Sequence, residues 1–265
     1  MSLRFRPVLS VSLPVLCLLA LEGGASLAWS QDTPAPPNQI PGQPAPTVRP
    51  RMREHFTRGA EIRDAIIRAD LEGVRAPARW LAEHPQEDLP LSAQPKIADM
   101  QRLAAEVAAA SDLVQAARAT AHLAAACGAC HTAVDATPTL MAALPRGENA
   151  TLAGHMRKHH RAADLLYRGL VVPSTHSWNL GADALTGDPV ELDLKRDSTP
   201  QPEIEALAQR LHDLAQQARK AEDPKSRSDL YGQMLATCSE CHKLQNVEIA
   251  QGKRPEPASQ AEDKR

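Results

Sequence analysis

Cys127, Cys130 and His131 stand in the pentapeptide Cys127-Gly128-Ala129-Cys130-His131, and the arrangement returns as Cys238-Ser239-Glu240-Cys241-His242. On a helical turn, two thiols three residues apart face one edge of a planar group, and the histidine that follows is directed towards its centre. The pattern is the attachment signature of c-type haem: the thiols add to the vinyl groups as thioethers, and the imidazole reaches the iron as proximal ligand. Three other chemistries use paired cysteines. Zinc usually gathers two Cys-x-x-Cys units in one fold, whereas 111 residues separate these two. A thioredoxin-like dithiol sits on a βαβ pattern, which the sequence lacks. Structural disulfides, ordinary in an exported chain, need no histidine after each pair. The expectation is two covalently bound haem c groups, one on Cys127, Cys130 and His131, the other on Cys238, Cys241 and His242.

The elements that must position these residues are helices. Ala and Leu dominate the apolar positions and aromatics are only 3% of the 265 residues, which favours helix over sheet. The first half predicts helix A over 52–72, with Ile62, Ala65, Ile66 and Ala69 at helical spacing. A short helix B holds Trp80 and Leu81 and stops at Pro85. Helix C runs over 96–109 on a stripe of Ile97, Met100, Leu103 and Val107, and helix D starts from an N-cap at Ser111 and carries Leu113 through His131. The second half repeats the order. Met156-Arg157-Lys158-His159 echoes Met52-Arg53-Glu54-His55, Gln209-Arg210-Leu211 echoes Gln101-Arg102-Leu103, and Trp178 stands roughly where Trp80 does. The longer second half is assigned to the 221–227 connection with Pro224, and to a helix A shortened by Pro173. The fold expected is all-α: two tandem four-helix bundles, over 51–137 and 148–250, each with its haem near the end of its last helix.

The ends of the chain read differently. Arg4 and Arg6 precede an apolar stretch from Val8 to Leu21, too short to span a bilayer and followed by small residues, so 1–30 reads as a secretory signal. The mature protein is then periplasmic or otherwise exported, with no stable membrane span after cleavage. Seven prolines within 31–50 mark an extended linker, and 251–265 is a polar, disordered tail. A net charge of −2 argues against a nucleic-acid partner.

Each half resembles a class II cytochrome c, the cytochrome c-prime and c556 group, over about 48–136 and 148–249. The resemblance rests on the two attachment motifs at the ends of fourth helices and on the helix order; the short helix B and the tandem arrangement depart from the usual single-haem form. It implies that the distal face of each haem is formed by a residue near the start of helix A. Met52 and His55 share a helix face there, as do Met156 and His159, and both residue types ligate haem iron. The family's Arg four residues before the distal position matches Arg51 and so selects His55; His159 follows by repeat, with His155 in the place of Arg51. His160 would point about 100° away from His159. His84, His122, His176 and His212 lack repeat partners and read as surface or packing residues.

With both axial positions filled by histidine, the expected role is electron transfer between redox partner proteins, without enzymatic activity, since no nucleophile–base pair accompanies the motifs. The alternative is a gas-binding or peroxidase-like protein with an open distal site, which carbon monoxide would reveal. A homodimer is compatible with either.

Overall fold

The computed structural model describes residues 48–84, 93–136, 151–186 and 202–245, together with 89 and 138. All regular structure among the described residues is helical: α1 (Val48–Ile67), α2 (Leu71–Glu83), α3 (Gln94–Ala109), α4 (Leu113–Ala133), α5 (Leu152–Val171), α6 (Thr175–Thr186), α7 (Pro202–Ala218) and α8 (Pro224–Leu244). The expected signal over 1–30, the tail over 251–265 and the linker up to residue 47 lie outside the described residues. The last three linker residues do not: Val48, Arg49 and Pro50 form the first turn of α1. A proline is tolerated in a first turn because its missing N–H would have no intrahelical partner there.

Local chemistry sets the ends of these helices. The stretch expected as one helix over 52–72 breaks after Ile67. Ala69 adopts the left-handed region (φ 57°), with Ala69 N–H donating to Ile66 and Asp70 N–H donating to Ala65, a Schellman closure. Asp70 then caps α2, its carboxylate accepting from Gly73 N–H at 2.8 Å. At the start of α4 the cap is Asp112, not Ser111: Asp112 Oδ1 accepts from Gln115 N–H, and the Ser111 hydroxyl donates to Asp112. Thr151 and Asp223 cap α5 and α8 in the same way.

The two halves keep the same order with two insertions. The starts of α1 and α5, and of α2 and α6, are 104 residues apart; those of α3 and α7 are 108 apart, and those of α4 and α8 are 111 apart. The extra length therefore enters between α2 and α3 and between α3 and α4. Pro173 does not shorten the second helix A: α1 and α5 both have 20 residues. Nor are the tryptophans equivalent. By the 104-residue offset Trp178 matches Val74, both fully buried, and Trp178 Nε1–H donates to the Ala218 carbonyl at 2.8 Å. Trp80 is only half-buried and lies near His55.

Within each half, helices that follow one another in sequence pack together, and first meets last, α1 on α4 and α5 on α8. The most extensive helix pair joins the halves: α4 lies along α8. Gly232 permits the approach, since a Cβ there would meet Arg118 Cα at 3.0 Å. The pair is antiparallel, with His122 opposite Asp229 and Arg118 opposite Gly232. Helices α1 and α5 also meet antiparallel, through Phe56 on Tyr167, Arg63 on Asp164 and Asp64 on His160. Equivalent residues exchange places across both contacts, so the halves are related by an approximate twofold. A single apolar core runs through both, from Ile62 and Ile66 through Ala116, Ala117 and Ala121 to Leu166, Tyr231 and Leu235.

Candidate functional site

Both Cys-x-x-Cys-His motifs occupy the last turns of the helices expected to carry them, α4 and α8. The end of α4 is fixed: Asp135 adopts φ 51°, and Ala136 N–H donates to the His131 carbonyl at 2.9 Å. The His131 ring is fixed as well, with Nδ1 2.7 Å from the Val171 carbonyl oxygen. A carbonyl only accepts, so Nδ1 carries a proton, which leaves Nε2 as the atom for a metal, the arrangement usual for a metal-ligating histidine. In the second half His242 Nδ1 is buried without a hydrogen-bond partner of good geometry. The main-chain group of Ile67 lies within reach and partly offsets the lowering of the His242 pKa by burial. Ile67 and Val171 are equivalent residues, each the last of its helix.

The thiols are unlike those of a redox dithiol. Burial, with each motif's second cysteine adding, pushes Cys127 and Cys238 up to about 12. Cys130 is raised by burial against the opposing charge of Lys96, and Cys241 is raised by burial. Exchange and thiolate–metal chemistry need depressed thiol pKa values, so these environments suit sulfurs held in an apolar setting. Among the described residues the four cysteines form no disulfide, and no group of three or more His, Cys, Asp or Glu gathers as a metal cage.

His55 and His159 occupy matching places on α1 and α5 with different surroundings. His55 is buried; its ring meets Trp80 edge-on at 5.3 Å, and Trp80 stacks on His84 at 4.0 Å. Burial, then the nearby His84, lower its pKa to about 4. His159 packs on His155, ring centroids 4.1 Å apart, and burial, His155, Lys158 and His242 lower its pKa to about 3. The structure thus brings His159 towards His242, within range of its charge, and sets His55 against α2. Met52 and Met156 are half-buried on the same helices. His55 and His159 are therefore neutral at physiological pH, the form that ligates.

Two histidines set aside on sequence grounds belong to this neighbourhood. His84 lacks a counterpart in the repeat, yet it completes the His55–Trp80 stack; the stop signal at Pro85, which puts His84 at the end of α2, was the available clue. His155, which by sequence only takes the place of Arg51, packs on His159. His122 is engaged elsewhere, with Asp229 across α4 and α8 at 3.1 Å, and His160 turns away from His159 to Asp64 at 3.0 Å, as helix geometry required.

Beneath the sites, Arg63 is buried between Asp164 (2.7 Å) and Asp64 (2.8 Å), and Asp164 also accepts from Arg168 at 2.7 Å. Tyr231 OH donates to the Ala163 carbonyl at 3.0 Å, bracing α8 on α5. No helix among the described residues is long and apolar enough to cross a membrane.

Comparison of the chain with models of protein families, with curated proteins and with solved structures finds no match.

Proposed function

We propose that the chain is an exported electron-transfer protein of two four-helix bundles, each carrying one covalently bound haem c. Cys127 and Cys130 would hold one porphyrin and Cys238 and Cys241 the other, with His131 and His242 as proximal ligands and His55 and His159 as distal ones. The observation that carries the reading is the His131 ring, donating from Nδ1 to Val171 and offering Nε2, one residue past a half-buried cysteine pair. When bound, haem c supplies a one-electron couple between ferric and ferrous iron. The chain does the rest. Burial lowers the pKa values of His55, His159 and His242, the apolar core excludes water, and the packed helices limit the rearrangement that accompanies a change of charge. An imidazole pair gives a lower potential than imidazole with methionine. Partner oxidoreductases would meet each site through a small, transient interface.

A second reading follows from the difference between the halves. His159 lies by His242, whereas His55 is engaged by Trp80 and His84, which favours a protein with the second site closed and the first open to a small gas. Mass spectrometry of the matured protein tests the attachment: the expected mass is the processed chain plus two haems. Optical spectra with carbon monoxide then separate the two readings. No shift means two closed sites, and half of the Soret absorbance shifting means one open site. A mass equal to the processed chain alone would sink both.

A further inference from the structure

The group that holds the His131 ring comes from the opposite half of the molecule. Val171 ends α5, so its carbonyl is one of the last four that the helix leaves without an internal partner. Its other neighbours in the turn are occupied: Val172 N–H donates to Arg168 and Ser174 N–H to Gly169. The carbonyl is therefore available to an outside donor, and His131 Nδ1–H supplies it at 2.7 Å. This end of a helix carries partial negative charge, which favours a donor there and enriches the ring's electron density at Nε2. The approach of α5 to α4 is close enough that a Cβ on Gly128, inside the first motif, would collide with the Leu170 carbonyl oxygen. In the twofold-related place Ile67, the last residue of α1, lies within reach of His242, whose buried Nδ1 has no other partner.

We propose that each half of the chain supplies the main-chain carbonyl that orients the metal-ligating histidine of the other, Val171 for His131 and Ile67 for His242, with Gly128 as the residue that lets Val171 approach. Gly128 and Val171 are positioning residues, and the inference rests on the haem reading above. It goes beyond that reading in one respect: neither site is complete within its own half, so the halves must dock before either imidazole is set. A change at the end of α5, in the second half, is felt at the iron of the first.

The test uses the full-length matured protein, labelled with ¹⁵N-histidine and ¹³C-carbonyl valine, in the reduced state. The expected result in the wild type is a His131 Nδ1–H that exchanges slowly with solvent and correlates with the Val171 carbonyl. In Gly128→Ala the protection is lost, and a potentiometric titration shows the potential of one haem shifted upward while the other stays in place, because a weaker donor to iron favours the reduced state. Rapid exchange of His131 Nδ1–H in the wild type overturns the inference, whether or not the variant matures. So does a Gly128→Ala protein that carries both haems with both potentials unmoved. A wild-type mass without haem instead overturns the functional reading, and the inference falls with it.

Discussion

On the proposed reading, in which each half carries a haem, His159 and His55 decide what kind of iron the two halves would hold. Replacing His159 by alanine is expected to open one site, so that carbon monoxide shifts about half of the Soret band. His55→Ala does the same for the other site if His55 is a ligand and changes nothing if Trp80 and His84 keep it off the axis. Carbon monoxide titration of the two variants reads both outcomes. Arg63 is the other residue whose loss would be felt. It is buried, with Asp164 and Asp64 at hydrogen-bonding distance. Arg63→Met leaves Asp164 with Arg168 and the more distant Arg161 (3.9 Å), and the expected cost is about 3 kcal/mol, the lower end for breaking a buried ion pair. Urea unfolding measures it, and Asp164→Asn in the same background should recover part of the loss. At this scale the two Cys-x-x-Cys-His motifs were legible in the sequence, because the pattern is one of fixed residue types at fixed spacing. The sequence did not disclose His84 or His155: His84 reaches His55 from the end of another helix, and His155 packs on His159 one turn along α5. The proton-bearing nitrogen of His131 was equally invisible, since its acceptor is a main-chain oxygen 40 residues away.

Among the helices, the joint between α1 and α2 holds the clearest departure from expectation. The apolar stripe of Ile62, Ala65, Ile66 and Ala69 continues across it, so periodicity alone saw one helix over 52–72. The break is made by a single alanine in the left-handed region followed by a capping aspartate. Ala69→Gly removes the steric cost of that conformation and is expected to stabilise the protein by about 0.5 kcal/mol, after the greater freedom of glycine in the unfolded chain is subtracted. A thermal midpoint lower than that of the wild type would contradict the assignment. The same limit explains Ser111 and Asp112: both are good caps, and only the β-region backbone of Asp112 (φ −150°, ψ 169°) with its bond to Gln115 distinguishes them. Helix number and order were readable from the pattern of Ile, Leu, Val and Ala; the insertion between α2 and α3 was not, because connections carry little periodic signal.

Among the described residues one apolar core joins the two halves, and unfolding should show it. Calorimetry of the full chain is expected to give a single transition, because α4 and α8 cannot separate without exposing Ala117, Ala121, Tyr231 and Leu235 together. Two resolved transitions would mean that the halves are energetically independent. Acid should weaken the structure in a defined window. His55 and His159 are held down to about 4 and about 3 against an ordinary value of 6.5. Between about pH 6.5 and 4 the unfolded chain therefore binds protons that the folded chain refuses, and stability falls as pH falls, by roughly 1.4 kcal/mol per pH unit for each histidine. Urea midpoints at pH 7, 6 and 5 check the sign; stability that rises on acidification would refute it. The antiparallel run of α4 along α8 has a last consequence. With Arg118 beside Gly232, the residue abreast of Cys238 is near the start of α4, so the motifs are staggered by about 14 residues, roughly 20 Å along the pair at 1.5 Å per residue. If both motifs carry haem, donor and acceptor address opposite poles of the molecule, and one can be seated while the other arrives, as at the two terminals of a short wire.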